Sequence, residues 1–203
     1  MQARKPEMRG WLATLTTALV FAVSTPASAG GLAAPSSFAG IEDAEARSAA
    51  IFTEAARVFQ HARCMNCHPA GDRPLQTDAS HKHRPAVQRG PNGFGHPAMQ
   101  CGNCHMDSNR AASGVPGAPH WHLAQSTMGF VGKTPGQICR QIKNPNMNGD
   151  RPTEAIVMHV AFDPLIIWAW QPGADRTAPP GTHQDFVALI NEWIVTGAAC
   201  PER

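Results

Sequence analysis

The sequence predicts a mainly α, loop-rich fold, and three features carry that expectation. Apolar residues recur at helical spacing in residues 43–63 and 184–196, with shorter stretches of the same kind from about residue 134 onward. Glycine and proline together make up 36 of the 203 residues, and 18 of them fall between Pro69 and Gly136, which leaves that segment little regular structure. Within it, the pentad Cys64-Met65-Asn66-Cys67-His68 returns as Cys101-Gly102-Asn103-Cys104-His105.

Both pentads read C-x-x-C-H, the attachment signature of c-type haem. Two thiols at this spacing can each form a thioether to a haem vinyl group while the adjacent imidazole turns inward to the iron. The sequence therefore predicts two covalently bound c-type haems, held by Cys64 and Cys67 and by Cys101 and Cys104, with His68 and His105 as iron ligands. C-x-x-C pairs also build zinc sites and thioredoxin-like redox motifs. A histidine directly after both pairs favours haem, and no βαβ pattern surrounds them.

The first 29 residues read as a signal peptide: a basic start with Arg4, Lys5 and Arg9, an apolar run from Trp11 to Val23, and Ala27-Ser28-Ala29 as the cleavage site. As a membrane anchor the run is too short, since about 20 apolar residues are needed to span a bilayer. Periplasmic export agrees with the haem signature, because c-type haem is attached outside the bacterial cytoplasm. Cleavage before Gly30 would leave 14 basic against 14 acidic residues and no membrane span. With no basic patch interleaved with aromatics, nucleic acid is not an expected partner.

Residues 30–42, small and rich in Pro, Ser and Gly, are expected to form a flexible lead-in. From 43 to 63 the positions Ile51, Phe52, Ala55, Val58, Phe59 and Ala62 form one buried helical stripe delivering the chain into Cys64. Turns fill the interval between the pentads. The glycines around Gly90 and Gly95 lack the preceding strand and following helix of a phosphate cradle. Thr134 followed by Pro135 should start a helix with Ile138, Cys139 and Ile142 inward. Another helix is expected from near Pro152 to the Asp163-Pro164 step. The run Leu165 to Trp170 is too short to assign. The last helix should run from about Gln184 to Thr196, with Phe186, Val187, Ile190, Trp193 and Ile194 on one face and Gly197 as its stop. All regular structure is expected to be helix.

A helix leading into C-x-x-C-H resembles the small class I cytochromes c. The series CMNCHPAGDRP, VQRG, CGNCH, VPGAPHWHLA, ICRQIKNP, NGDRPTEAIVMH, DPLIIWAWQPG and TGAACP is similar to the small periplasmic dihaem c-type cytochromes grouped with isoquinoline 1-oxidoreductase as subunits. The likeness spans nearly the whole chain expected to remain after cleavage before Gly30. It implies a cytochrome c-like helical domain around two covalent haems and a molybdenum hydroxylase as partner, while this chain has nothing to hold a molybdopterin itself.

Cys139 and Cys200 remain after the pentads. In an oxidising compartment they most simply form a disulfide, the alternative being two separate buried thiols. Each iron needs a sixth ligand. His83, His122 and His159 are the favoured candidates over His81, His96 and His120, with His61 and His183 expected in capping or solvent roles. Met128, Met147 and Met158 stay open, each more readily explained as core filler. The tryptophans are expected to pack in the core or against haem.

Paired carboxylates, an activated nucleophile and a P-loop are all missing. The expected function is electron transfer, from a dehydrogenase or molybdenum hydroxylase to another cytochrome or an oxidase. The alternative is a dihaem peroxidase-type enzyme with one open haem site, though such enzymes are usually longer.

Overall fold

The computed structural model describes Met1 and residues 30–203. The expected signal peptide, residues 1–29, lies outside the described residues apart from Met1. The fold is mainly helical, with seven α-helices and two minimal hairpins among the described residues.

The first helix, α1 (Ala44–Phe59), starts where the Asp43 side chain accepts the Ala46 N–H at 2.7 Å. All six residues of the predicted stripe are buried, from Ile51 at 0% exposure to Phe59 and Ala62 at 7%. The helix stops earlier than expected. His61 adopts an extended conformation (φ −77°, ψ 151°), and its side chain caps a separate turn, α2 (Ala62–Met65), by accepting the Arg63 N–H at 3.2 Å. Cys64 is thus presented on a fresh turn set at an angle to α1.

Residues 30–42 are not a loose lead-in. The Arg57 guanidinium donates to the Gly31 carbonyl at 2.9 Å, the Ala33 N–H donates to Glu54 at 2.9 Å, and Leu32 and Phe38 pack against the core. The expectation of helix alone is also corrected. Two two-residue antiparallel hairpins, β1 (Leu75–Gln76) with β2 (His81–Lys82) and β3 (Gly95–His96) with β4 (Met99–Gln100), fold the segment between the pentads. Strands of two residues are too short to leave an alternation in the sequence.

In the C-terminal half, α3 (Pro135–Lys143) has the predicted Thr134 cap, completed as a capping box by Gln137, and the short α4 (Pro145–Asn148) follows. Helix α5 (Ala155–Phe162) begins three residues later than expected. The unassigned run becomes α6 (Pro164–Trp168), capped by Asp163, and α7 (His183–Val195) is boxed by Thr182 and Asp185. Gly197, at φ 102°, takes the left-handed conformation that ends α7.

The core lies between α1, α3, α5 and α7. Trp193, fully buried, packs on Phe52 at 4.8 Å and donates its indole N–H to the Ala199 carbonyl at 2.8 Å. Full burial of a large apolar side chain is worth about 1.5–3 kcal/mol, so Trp193, Phe52 and Phe186 dominate this interface. Cys139 and Cys200 are joined as expected, tying the tail beyond α7 to α3. By contrast, between residues 69 and 133 the buried apolar residues are Ala118, Leu123 and Phe130. No helix among the described residues is long and apolar enough to cross a membrane.

Candidate functional site

The two pentads fold alike. In each, the fourth residue's N–H donates to the first residue's carbonyl (Cys67 to Cys64, 3.2 Å; Cys104 to Cys101, 3.1 Å). The histidine N–H returns to the same carbonyl (His68 to Cys64, 3.0 Å; His105 to Cys101, 2.9 Å). Both cysteines therefore share one turn, with the imidazole beside them. Each imidazole is then held twice from elsewhere in the chain. His68 donates from Nδ1 to the Met128 carbonyl at 2.6 Å and lies flat on Phe130, ring centres 3.9 Å and planes 4° apart. His105 donates from Nδ1 to the Pro116 carbonyl at 2.8 Å and lies flat on Trp121, 4.5 Å and 4° apart. A carbonyl can only accept, so both rings carry their proton on Nδ1 and leave Nε2 free as a ligand.

A cavity of about 790 Å³ opens at the first pentad. Cys64, Cys67 and His68 line it, and so do the candidates His122 and His159. Phe59, Leu123, Ile156 and Phe186 give it apolar walls. Helix α5 carries His159, whose Nδ1 faces the Asp163 carboxylate at 3.3 Å. His122 donates from Nδ1 to the His120 carbonyl at 2.5 Å and stacks on Phe94 at 4.9 Å. Burial holds the His68 imidazole down to about 4, against which the Met128 carbonyl works, and the charges of His159, Arg89 and His122 add to the effect. His68 is therefore neutral at pH 7, the form that binds metal. The thiols of Cys64 and Cys67 are pushed up to about 12 and about 11, by burial first.

The third candidate goes to the other pentad. The rings of His83 and His105 lie 6.0 Å apart, and His83 too donates from Nδ1, to the Pro85 carbonyl at 3.0 Å. Here Cys104 is exposed and Cys101 and His105 are half-buried. Burial again lowers the His105 imidazole. Trp168 meets Trp121 edge-on at 4.7 Å.

All five histidines predicted to bind iron thus have Nδ1 engaged by a carbonyl or carboxylate. Metal-ligating histidines are usually oriented this way by their other nitrogen. Four others differ. The Nδ1 atoms of His61 and His96 accept backbone N–H groups, both nitrogens of His81 meet side chains, and His183 donates from Nε2 to the Val160 carbonyl at 2.7 Å. Among the methionines, Met128 contributes its carbonyl to His68 while its sulfur accepts from Gln141 at 3.7 Å, and Met158 is 60% exposed.

No family model, curated protein or solved structure matches the chain.

Among the described residues, no three His, Cys, Asp or Glu side chains converge as a site for a bare metal ion. At each pentad the donors sit as two thiols and an imidazole, with His122 and His159 on the same cavity as the first and His83 near the second. Sequence reasoning missed the carbonyls of Met128 and Pro116, the flat stacking of Phe130 and Trp121, and two arginines on the cavity wall, Arg63 and Arg89. Asp163 had a visible signal, four residues after His159.

Proposed function

We propose that the chain is a periplasmic electron carrier holding two c-type haems, covalently attached at Cys64 and Cys67 and at Cys101 and Cys104. Electrons would enter from a dehydrogenase or molybdenum hydroxylase and leave to another cytochrome or an oxidase. One observation carries the reading: the pentad occurs twice in the same turn, and in both copies the histidine is pinned at Nδ1 and free at Nε2.

The surroundings support a flat, largely apolar group. A cavity of about 790 Å³ lies within the range of roughly 300–1,000 Å³ that encloses a small cofactor. At the second pentad, His83 and His105 lie with ring centres 6.0 Å apart and would both be available to hold a metal-bearing group. When bound, each haem would supply an iron that exchanges one electron between Fe(III) and Fe(II), at a potential tuned by its axial ligands and burial.

The chain's own residues do the rest. The cysteines would hold the ring covalently, and His68 and His105 would each supply an imidazole nitrogen to the iron. His159, oriented by Asp163, would be the further ligand in the cavity of His68, ahead of His122, and His83 would serve at the pentad of His105. Phe130 and Trp121 keep the two proximal rings from rotating. Phe59, Leu123, Ile156 and Phe186 exclude water from the first site. With a second imidazole supplied to each iron, the group would exchange electrons and leave no position for a substrate.

An absorbance spectrum of the ferric protein tests this, the expected result being two low-spin haems with negligible peroxide turnover. A high-spin haem that turns over peroxide at enzymatic rates would make the chain a dihaem peroxidase-type enzyme instead.

A further inference from the structure

The wall of the His68 cavity holds a buried guanidinium with two of its donors unanswered. Arg89 is 7% exposed. Its Nη2 donates to the Gly71 carbonyl at 3.0 Å, but Nε and Nη1 have no hydrogen-bond partner. The Asp72 carboxylate lies 3.4 Å from Nε, and that side chain is 72% exposed, so water screens it. Burying guanidinium donors without acceptors is costly, and folds retain such a group where water, an ion or a ligand completes it.

The local backbone keeps Arg89 in place. Its N–H donates to the Asp72 carbonyl at 2.7 Å, and its carbonyl accepts the Gly95 N–H at 2.9 Å. Gly90, at φ +68°, passes so near that a Cβ would meet the Gly95 carbonyl oxygen at 2.1 Å. Of the other charges on the lining, Arg151 is exposed to solvent, and the rest are engaged. Arg63, next to Cys64, pairs with Asp78, and Asp163 takes His159 and the Leu165 N–H. Arg89 is the buried cation on this lining that keeps two donors unanswered.

We propose that Arg89 recognises a carboxylate on the molecule that fills this cavity. This rests on the haem reading above, in which that carboxylate is a propionate of the haem attached at Cys64 and Cys67. Arginine suits the task because its donors stay charged and match a carboxylate's oxygens. The pairing offsets the propionate's negative charge beside the iron. Fe(III) carries one more positive charge than Fe(II), so losing the arginine would favour the oxidised state and lower that haem's midpoint potential.

The test uses the exported protein with its haems attached. In Arg89→Gln, one of the two midpoints in a redox titration should fall while the other stays in place, and Arg89→Lys, which keeps the charge, should recover most of the shift. In the unmutated protein, isotope-edited infrared spectra of carboxyl-labelled propionates should show one ionised carboxylate bonded to a strong donor. Two haems attached and both midpoints unmoved in Arg89→Gln would overturn the inference while leaving the haem reading intact. If Arg89→Gln does not fold, the infrared spectrum decides, and propionates that all look water-exposed would overturn it. An unmutated protein with no haem would overturn both.

Discussion

The Nδ1 of His159 lies 3.3 Å from a carboxylate oxygen of Asp163, one helical turn further on, where Asp163 both ends α5 and caps α6. Such a carboxylate holds an imidazole in one orientation and makes its other nitrogen a stronger ligand. His159→Ala should therefore open the iron opposite His68, giving a high-spin signal and new carbon monoxide binding. His122→Ala should do so only if His122 is the ligand in place of His159. Asp163→Asn should keep the haem low-spin but raise one midpoint potential, since a less electron-rich imidazole stabilises Fe(III) less. The expected signature is one midpoint moved and the other not.

The disulfide between Cys139 and Cys200 closes a loop across a separation of 61 residues. On chain-entropy grounds a loop of that length stabilises by about 4 kcal/mol. Cys200→Ser should lower the unfolding free energy by roughly 2–4 kcal/mol in denaturant titrations. The C-terminal tail, which also bonds through the Gly136 N–H and the Arg140 guanidinium, should exchange its amide protons faster.

The haem-free chain should lose stability as pH falls. The folded His68 imidazole titrates near 4, chiefly because burial disfavours its charged form, against an ordinary 6.5. Between those values the unfolded chain binds a proton that the folded chain does not, so stability is full above about pH 6.5 and declines towards pH 4. Asp163 adds to the decline at the acid end. Burial opposes its ionised form, but the hydrogen bonds from His159 and the Leu165 N–H outweigh that and hold the carboxyl below its usual range. Urea midpoints at pH 7.5 and pH 5 would measure the difference. With iron on Nε2 of His68, the dependence across this window should flatten.

The helical half of the fold was legible because its signals are local and periodic. The stripe Ile51 to Ala62 is buried as read, and Thr134 and Gly197 act as the start and stop they resemble. The break at Gln60 was not legible, because it depends on one histidine side chain turning back to cap the next turn. At the site, the pentads announced themselves through residue type. The groups that orient them did not, since the Met128 and Pro116 carbonyls are backbone atoms that any residue supplies, and the first arrives from 60 positions away. Arg89 read as one member of a turn. Only folding shows it buried without acceptors.

The middle of the chain should depend most on its cofactors. Between residues 69 and 133 the buried apolar residues are Ala118, Leu123 and Phe130, too few for a core of their own. In haem-free protein, limited proteolysis should cut first within residues 69–126 and leave the α1–α7 unit largely intact. The same protease on haem-loaded protein should cut that segment at least tenfold more slowly if local opening there costs about 1.4 kcal/mol more.

Phe130 joins the core to the site, packing edge-on against Phe59 at 5.5 Å and flat on His68. Phe130→Ala should cost about 3–5 kcal/mol of stability. It should also broaden the spectrum of the haem at the first pentad, because the imidazole loses the surface that fixes its plane. Phe130→Leu, which restores most of the volume but not the flat face, should recover stability more than spectral sharpness.

The intact mass of the exported protein tests the central claim most directly. The account predicts a polypeptide beginning at Gly30 plus two covalently retained haems under denaturing conditions. A mass equal to the polypeptide alone, or to the polypeptide with a single haem, would contradict it.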